Sequence, residues 1–192
     1  MDHRNANKGP ALRLGIVLAV AALLAIAIVS YRGLFNLIHH NQLVVHTMQV
    51  ISELDAALSE MKDAETGQRG YLITEDASYL EPYYKAVNEI SKHVQVLTAL
   101  TLDNPYQQSR IPKLKDLIQQ KLETIRLTVA LAQAGKHEEA RRLVASNLGR
   151  QQMEQLRDLV AEMRGHEEQL LAQRTQSSRR GVQEAGFAFS VV

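Results

Sequence analysis

Cysteine is absent from all 192 residues, which removes disulfide frameworks, thiolate metal sites and thiol nucleophiles at once. The absence is compatible with an oxidising compartment without establishing one. Tryptophan is missing too, and there are only 4 prolines and 10 glycines. So few breakers, beside abundant Leu, Ala, Gln, Glu and Arg, describe long helices rather than a sandwich or barrel. Neither sign of charge dominates: 22 basic residues face 21 acidic ones, so no bulk field points to nucleic acid as a partner. The length suits one domain plus an anchor.

One long apolar run is present. Between Arg13 and Arg32, residues 14–31 carry no charge and are rich in Leu, Ile, Val and Ala. As a helix the run reaches about 27 Å, close to the hydrocarbon thickness of a bilayer. A helix satisfies its own backbone polar groups, so it can cross there. Arg4, Lys8 and Arg13 precede the run and only Arg32 follows closely, which keeps the N-terminus cytoplasmic. Tyr31 stands where an interfacial aromatic is expected. A cleaved signal peptide is the competing reading, with Ala25-Ile26-Ala27 as its cleavage site. The run outlasts a typical signal core and continues through Ile28 and Val29, which favours the anchor.

Beyond the run, apolar residues recur at 3–4 spacing. Thr47, Ile51, Leu54, Leu58, Met61, Glu65, Gln68 and Leu72 form one stripe of a long first helix, continuous with the span. Thr74, Glu75, Asp76 and Ser78 predict a turn. A second helix follows on Tyr83, Val87, Ile90, Val94, Leu97 and Thr101, with Pro82 tolerated in its first turns. Asn104 reads as the N-cap of a third helix, Pro105 as its first residue and Gln107 as the reciprocal capping residue. Ile111, Leu114, Ile118, Leu122, Ile125, Val129 and Ala132 line that helix, and Pro112 predicts a kink or a delayed start. Ala134-Gly135-Lys136 is a stop signal, and a short helical piece, His137 to Val144, leads to Asn147 and Gly149. Met153, Leu156, Val160, Met163, Glu167, Leu170 and Arg174 stripe the last helix. The fold class is therefore all-α: an up-down four-helix bundle with an N-terminal transmembrane helix.

After Arg179-Arg180 an apolar run ends the sequence at Val192, too short to span a bilayer. It is expected to be the start of a second membrane helix; an apolar tail is the plainer alternative. The organisation expected is a cytoplasmic tail over 1–13, a membrane helix over 14–31, an extracytoplasmic bundle over 32–182, and the beginning of a second span over 183–192.

The segment from Asp63 to Thr74, DAETGQRGYLIT, followed by Tyr79-Leu80-Glu81-Pro82-Tyr83, resembles the third type of CHASE domain. Thr101-Leu102-Asp103-Asn104-Pro105, Glu139-Ala140-Arg141, and Glu167 with Leu170-Leu171 and Arg174 extend the resemblance over roughly Arg32 to Arg180. Two departures stand out: Ile73-Thr74-Glu75 lacks a glycine often seen at that turn, and Pro112 is unexpected. The resemblance implies an extracytoplasmic sensory four-helix bundle between two membrane spans. It would be coupled to a histidine kinase, diguanylate cyclase or chemoreceptor module, none of which occurs here.

Glu65, Gly67, Gln68, Arg69, Gly70 and Tyr71, with Glu167 and Arg174, are the candidate signalling or polar-core residues. The first stripe turns polar at Glu65 and Gln68, and a carboxylate on a core face must be paired, hydrated or protonated. Arg69 lies four residues on, within reach. Gly67 and Gly70 each weaken a helix by about 1 kcal/mol relative to alanine, which makes sense where a helix or ligand approaches closely. A ligand pocket at the membrane-distal end is one reading; a structural layer fixing register is the other, and the favoured one. Tyr71, Tyr79, Tyr83 and Tyr84 are expected to pack the first hairpin rather than line a ligand site. Glu167 and Arg174 either pair with the first helix or sit at solvated edges.

Other chemistry fails on spacing. His166-Glu167 lacks the proline of a kinase phosphoacceptor box and lies outside the expected cytoplasmic side. Glu89 with His93, and Glu162 with His166, are four apart, whereas di-iron bundles need three. No zinc-protease, haem or phosphate-loop motif occurs. His39, His40 and His46 read as interfacial helix residues rather than a metal or pH site. No catalytic residue, cofactor or metal is expected.

The resulting expectation is the input region of a bacterial transmembrane receptor, foremost a sensor histidine kinase, in the inner membrane with its main domain periplasmic or extracellular. It would relay a stimulus by movement of its first and last helices. Lipid, a second copy as homodimer, and a small ligand or periplasmic protein are the expected partners, with no nucleic acid. The alternatives are a non-sensory anchored scaffold, or the input domain of a chemoreceptor or diguanylate cyclase.

Overall fold

The computed structural model describes residues 8–190, with side chains described over 12–39 and 41–176. Five helices and one 3-10 turn follow in chain order: α1 (Lys8–Thr74), the turn Ala77–Leu80, α2 (Glu81–Leu100), α3 (Pro105–Gln133), α4 (His137–Ala145) and α5 (Leu148–Ser190). No strand occurs among the described residues. The chain divides into two units, Val45–Ala172 and Met1–Val44 with Gln173–Val192.

The larger unit holds the bundle, and its core is built from the stripes that periodicity marks. Leu54, Met61, Tyr83, Ile90, Leu97, Ile111, Leu114, Ile125, Met153, Leu156 and Met163 are all buried. Two details differ from the expected stripes. On α1 the buried line runs through Val50, Leu54, Ala57, Met61, Ala64 and Gln68, while Ile51 and Leu58 are only half-buried. On α3 the buried face widens to take in Lys121, Thr124 and Thr128. A helix packed against neighbours on two sides buries more than one stripe, and 3–4 spacing cannot say which side gains.

The helix ends follow local chemistry. Asp76 accepts from the Ser78 amide at 2.9 Å and opens the 3-10 turn. Glu75 takes φ 59°, the left-handed conformation that glycine would adopt freely. For a residue with a Cβ that conformation costs roughly 1–2 kcal/mol, at the turn where the sequence lacks its glycine. Asn104 caps α3, accepting from the Gln107 amide at 3.3 Å. The reciprocal half of that box is corrected: Gln107 turns its amide inward to α5 instead. Pro112 lies inside α3, which starts at Pro105 without delay. Gly135, at φ 74°, closes α3 as expected, with Lys136 N–H donating to Leu131 O at 2.9 Å.

In the smaller unit, the N-terminal part of α1 is long and apolar enough to cross a membrane. Its large apolar side chains, Leu14 to Val29 among them, are exposed. Arg174 Nη1 donates to the Leu43 carbonyl of α1 at 3.1 Å. Residues 1–7 of the expected tail, the His40 side chain and the side chains of the expected second span at 183–192 lie outside the described residues.

Candidate functional site

Lys121 organises the site. Its position on α3, three residues after Ile118 and four before Ile125, points it into the bundle, and its side chain is 2% exposed. An ammonium so placed must find acceptors. Nζ donates to Glu65 Oε1 of α1 at 2.8 Å and to the Gly149 carbonyl of α5 at 2.7 Å. Arg69 Nη2 donates to the same Glu65 oxygen at 3.1 Å. Burial pushes the Lys121 pKa below the usual lysine range, while the hydrogen bond and charge of Glu65 oppose that shift. Lys121 thus joins α1, α3 and the first turn of α5. Gly149 permits the approach, since a Cβ there would stand 3.2 Å from Lys121 Nζ.

Beside this tie lies a cavity of about 760 Å³ between α1, α3, α4 and the first turn of α5. Glu65, Gln68 and Arg69 line it from α1, Lys121, Thr124 and Thr128 from α3, and Arg141, Leu143 and Val144 from α4. At its rim His137 Nδ1 of α4 stands 3.6 Å from Glu75 Oε1. The expected pairing of Glu65 with Arg69 is present. The more deeply buried partner, Lys121, lies beside the expected α3 stripe rather than in it, and its place three residues after Ile118 and four before Ile125 is the one sequence signal for it.

Gly67 and Gly70 serve the hairpin between α1 and α2. A Cβ on Gly67 would stand 2.6 Å from the Tyr79 carbonyl oxygen, and one on Gly70 would enter the Tyr79 ring. Tyr83 is buried and Tyr71 packs against the core, while Tyr79 and Tyr84 are exposed. Tyr71 and Tyr83 thus pack against the core and Tyr79 lies over Gly67 and Gly70, whereas Tyr84 faces outward.

Glu167 belongs to a separate polar layer. It is buried, and its Oε1 accepts from Gln107 Nε2 at 2.9 Å and from Asn104 Nδ2 at 3.0 Å. Gln107 Nε2 also donates to the Met163 carbonyl at 2.9 Å. Neither alternative offered for Glu167, a partner on the first helix or a solvated edge, describes it: it is buried and its partners stand at the start of α3. Glu65 flanks the α1–α2 turn and Glu167 the α2–α3 turn, so the candidate residues form two layers with α2 running between them. Arg174, bonded to Leu43, belongs to neither layer.

Near the second layer, the Tyr106 ring stacks on His166 with centroids 3.9 Å apart, and the Arg110 guanidinium lies 3.4 Å from the Tyr106 centroid. Glu162 accepts from Arg110 Nε at 2.6 Å and from the Tyr106 hydroxyl at 3.1 Å. Arg110 first, then Tyr106, holds the Glu162 pKa below the usual carboxylate range. A depressed folded pKa adds stability above the unfolded value and loses it as pH falls through the folded one. The wild-type chain should therefore lose more stability than E162Q between neutral and acid pH. Helix melts followed by circular dichroism check this, and parallel pH profiles would contradict it.

Among the described residues no group of His, Asp or Glu is arranged to hold a metal ion.

An all-α up-down bundle with a buried polar tie defines the class. The solved sensor domain of the histidine kinase HK9 from Rhodopseudomonas palustris has a similar fold, with TM-score 0.60 and 23% identity, covering 65% of this chain and 97% of that one. The family model for the CHASE3 domain matches residues 40–177, and the chain belongs to that family. It carries a sensory input domain of the extracytoplasmic kind. No match is found among curated proteins.

Proposed function

We propose that the chain is the extracytoplasmic input region of a bacterial transmembrane signalling receptor, of the sensor histidine kinase type. In this reading 14–31 crosses the inner membrane, the N-terminus is cytoplasmic, and 183–192 begins a second span. The domain has no catalytic role of its own and works as a homodimer. The supporting observation is the Lys121 tie, because it joins α1 to α5, the two helices that continue beyond the bundle unit in sequence. A stimulus that alters the tie would bias one helix against the other, provided it binds two arrangements unequally.

The test is Glu65→Gln in the whole receptor as its gene encodes it, reading autophosphorylation in membranes beside helix content. Altered kinase output with unchanged helicity is the expected result. Unchanged output, or a reading frame without any signalling module, would favour the anchored scaffold.

A further inference from the structure

The cavity beside Lys121 has a charge imbalance and an apolar wall, and together they specify a ligand class. Lys121, Arg69, Arg141 and Arg150 line it, against the carboxylates of Glu65 and Glu75. Four fixed cations against two anions leave an excess of positive charge before His137 is counted. Of these cations Lys121 is the buried one. Its ammonium has three N–H groups, of which Glu65 and Gly149 take two.

Arg69 shares Glu65 with Lys121, while Arg141 and Arg150 are held loosely. Arg141 pairs with Glu138 in a contact where both side chains are about three-quarters exposed, 76% and 75%. Arg150 stands 3.8 Å from Glu154, with both side chains exposed. Exposed pairs of this kind contribute little, so both arginines can turn to a ligand at small cost. Leu72, Leu143 and Val144 add apolar surface to the same cavity. A cavity of about 760 Å³ falls in the range that encloses a small organic molecule.

We infer that this cavity binds an amphipathic organic carboxylate. Its carboxylate meets Lys121 and Arg69, and its hydrocarbon body lies against α4. The inference rests on the input-domain reading and gives that reading a stimulus class. A bare inorganic anion would leave the apolar wall unused, and a neutral molecule would leave the cations unanswered. The ligand carboxylate competes with Glu65 for Lys121, so occupancy loosens the junction between α1 and α5.

The experiment is isothermal titration calorimetry on the full chain in lipid nanodiscs, corrected with empty nanodiscs. Hexanoate is the probe; hexanamide, hexylamine and inorganic phosphate are the comparisons. Hexanoate should bind at least about tenfold more tightly than hexanamide, and R69Q/R141Q should lose about tenfold or more, as charge-assisted hydrogen bonds require. Both substituted side chains are largely exposed, so this variant keeps its fold and its melting curve verifies that. Equal binding of hexanamide, phosphate binding as tight as hexanoate, or no binding of hexanoate overturns the inference. Failure of hexanoate with a persistent E65Q effect on receptor output would remove the ligand class and leave the input reading. Binding of hexanoate with no E65Q effect would remove the input reading and leave the site.

Discussion

Replacing Glu65 with leucine should destabilise the bundle by about 3–5 kcal/mol, because it strands the buried Lys121 ammonium. Lys121 Nζ would keep only the Gly149 carbonyl as a close acceptor, and a carbonyl dipole does not neutralise a charge. Leucine forms a helix as readily as glutamate, so helix propensity would not oppose the change. The electrostatic loss decides the sign. At the transition midpoint this should lower the melting temperature by roughly 10 °C.

The same reasoning predicts recovery in the double variant. With K121M added to E65L the charge is gone, and a well-packed apolar pair in place of a buried ion pair is about neutral or stabilising. Melts of the wild type, both single variants and the double variant form a cycle that isolates the pair. If E65L melts with the wild type, Lys121 is not held as described. Burial also depresses the Lys121 pKa, so the unfolded chain binds more protons than the folded one in the alkaline range. The Lys121 contribution to stability should therefore rise with pH there, and K121M should remove that rise.

Gly67→Ala should destabilise the bundle by about 1–3 kcal/mol, the usual cost of overpacking. In an open helix the same change would stabilise by about 1 kcal/mol, since alanine is the better helix former. Here the new Cβ meets the Tyr79 carbonyl oxygen at 2.6 Å. That oxygen is backbone and cannot rotate aside, so the α1–α2 hairpin must open. Gly165→Ala is the internal comparison, because nothing lies within 4 Å of a Cβ there. It should raise the melting temperature where G67A lowers it. Equal shifts for the two would mean that the hairpin does not close on α1 at this point.

The two glycines show how far local sequence carries. In a helical stripe they signal a close approach, without choosing between a ligand and a neighbouring segment. The choice depended on Tyr79, which is twelve residues from Gly67 and separated from it by a turn. Glu75 shows the reverse case: the missing glycine was visible, while its left-handed backbone, φ 59°, was not. Gln107 shows a third. Its place after Asn104 fits a capping box, yet α5 offers the Met163 carbonyl and Glu167, and those buried bonds took the side chain instead.

Helix positions, turns, caps and the apolar N-terminal run were all set by residues close together in the chain, because 3–4 periodicity, Asn-Pro at a helix start and Gly at a helix end act within a few residues. The family resemblance was readable for the same reason, since its motif is one continuous segment from Asp63 to Thr74. The partners of the polar residues were decided by the tertiary fold. Glu65 meets Lys121 across 56 residues and Glu167 meets Gln107 across 60, and no local pattern encodes which buried donor reaches which acceptor. A buried charge settles on whatever acceptors the packed helices bring to it, and only the assembled bundle determines what those are.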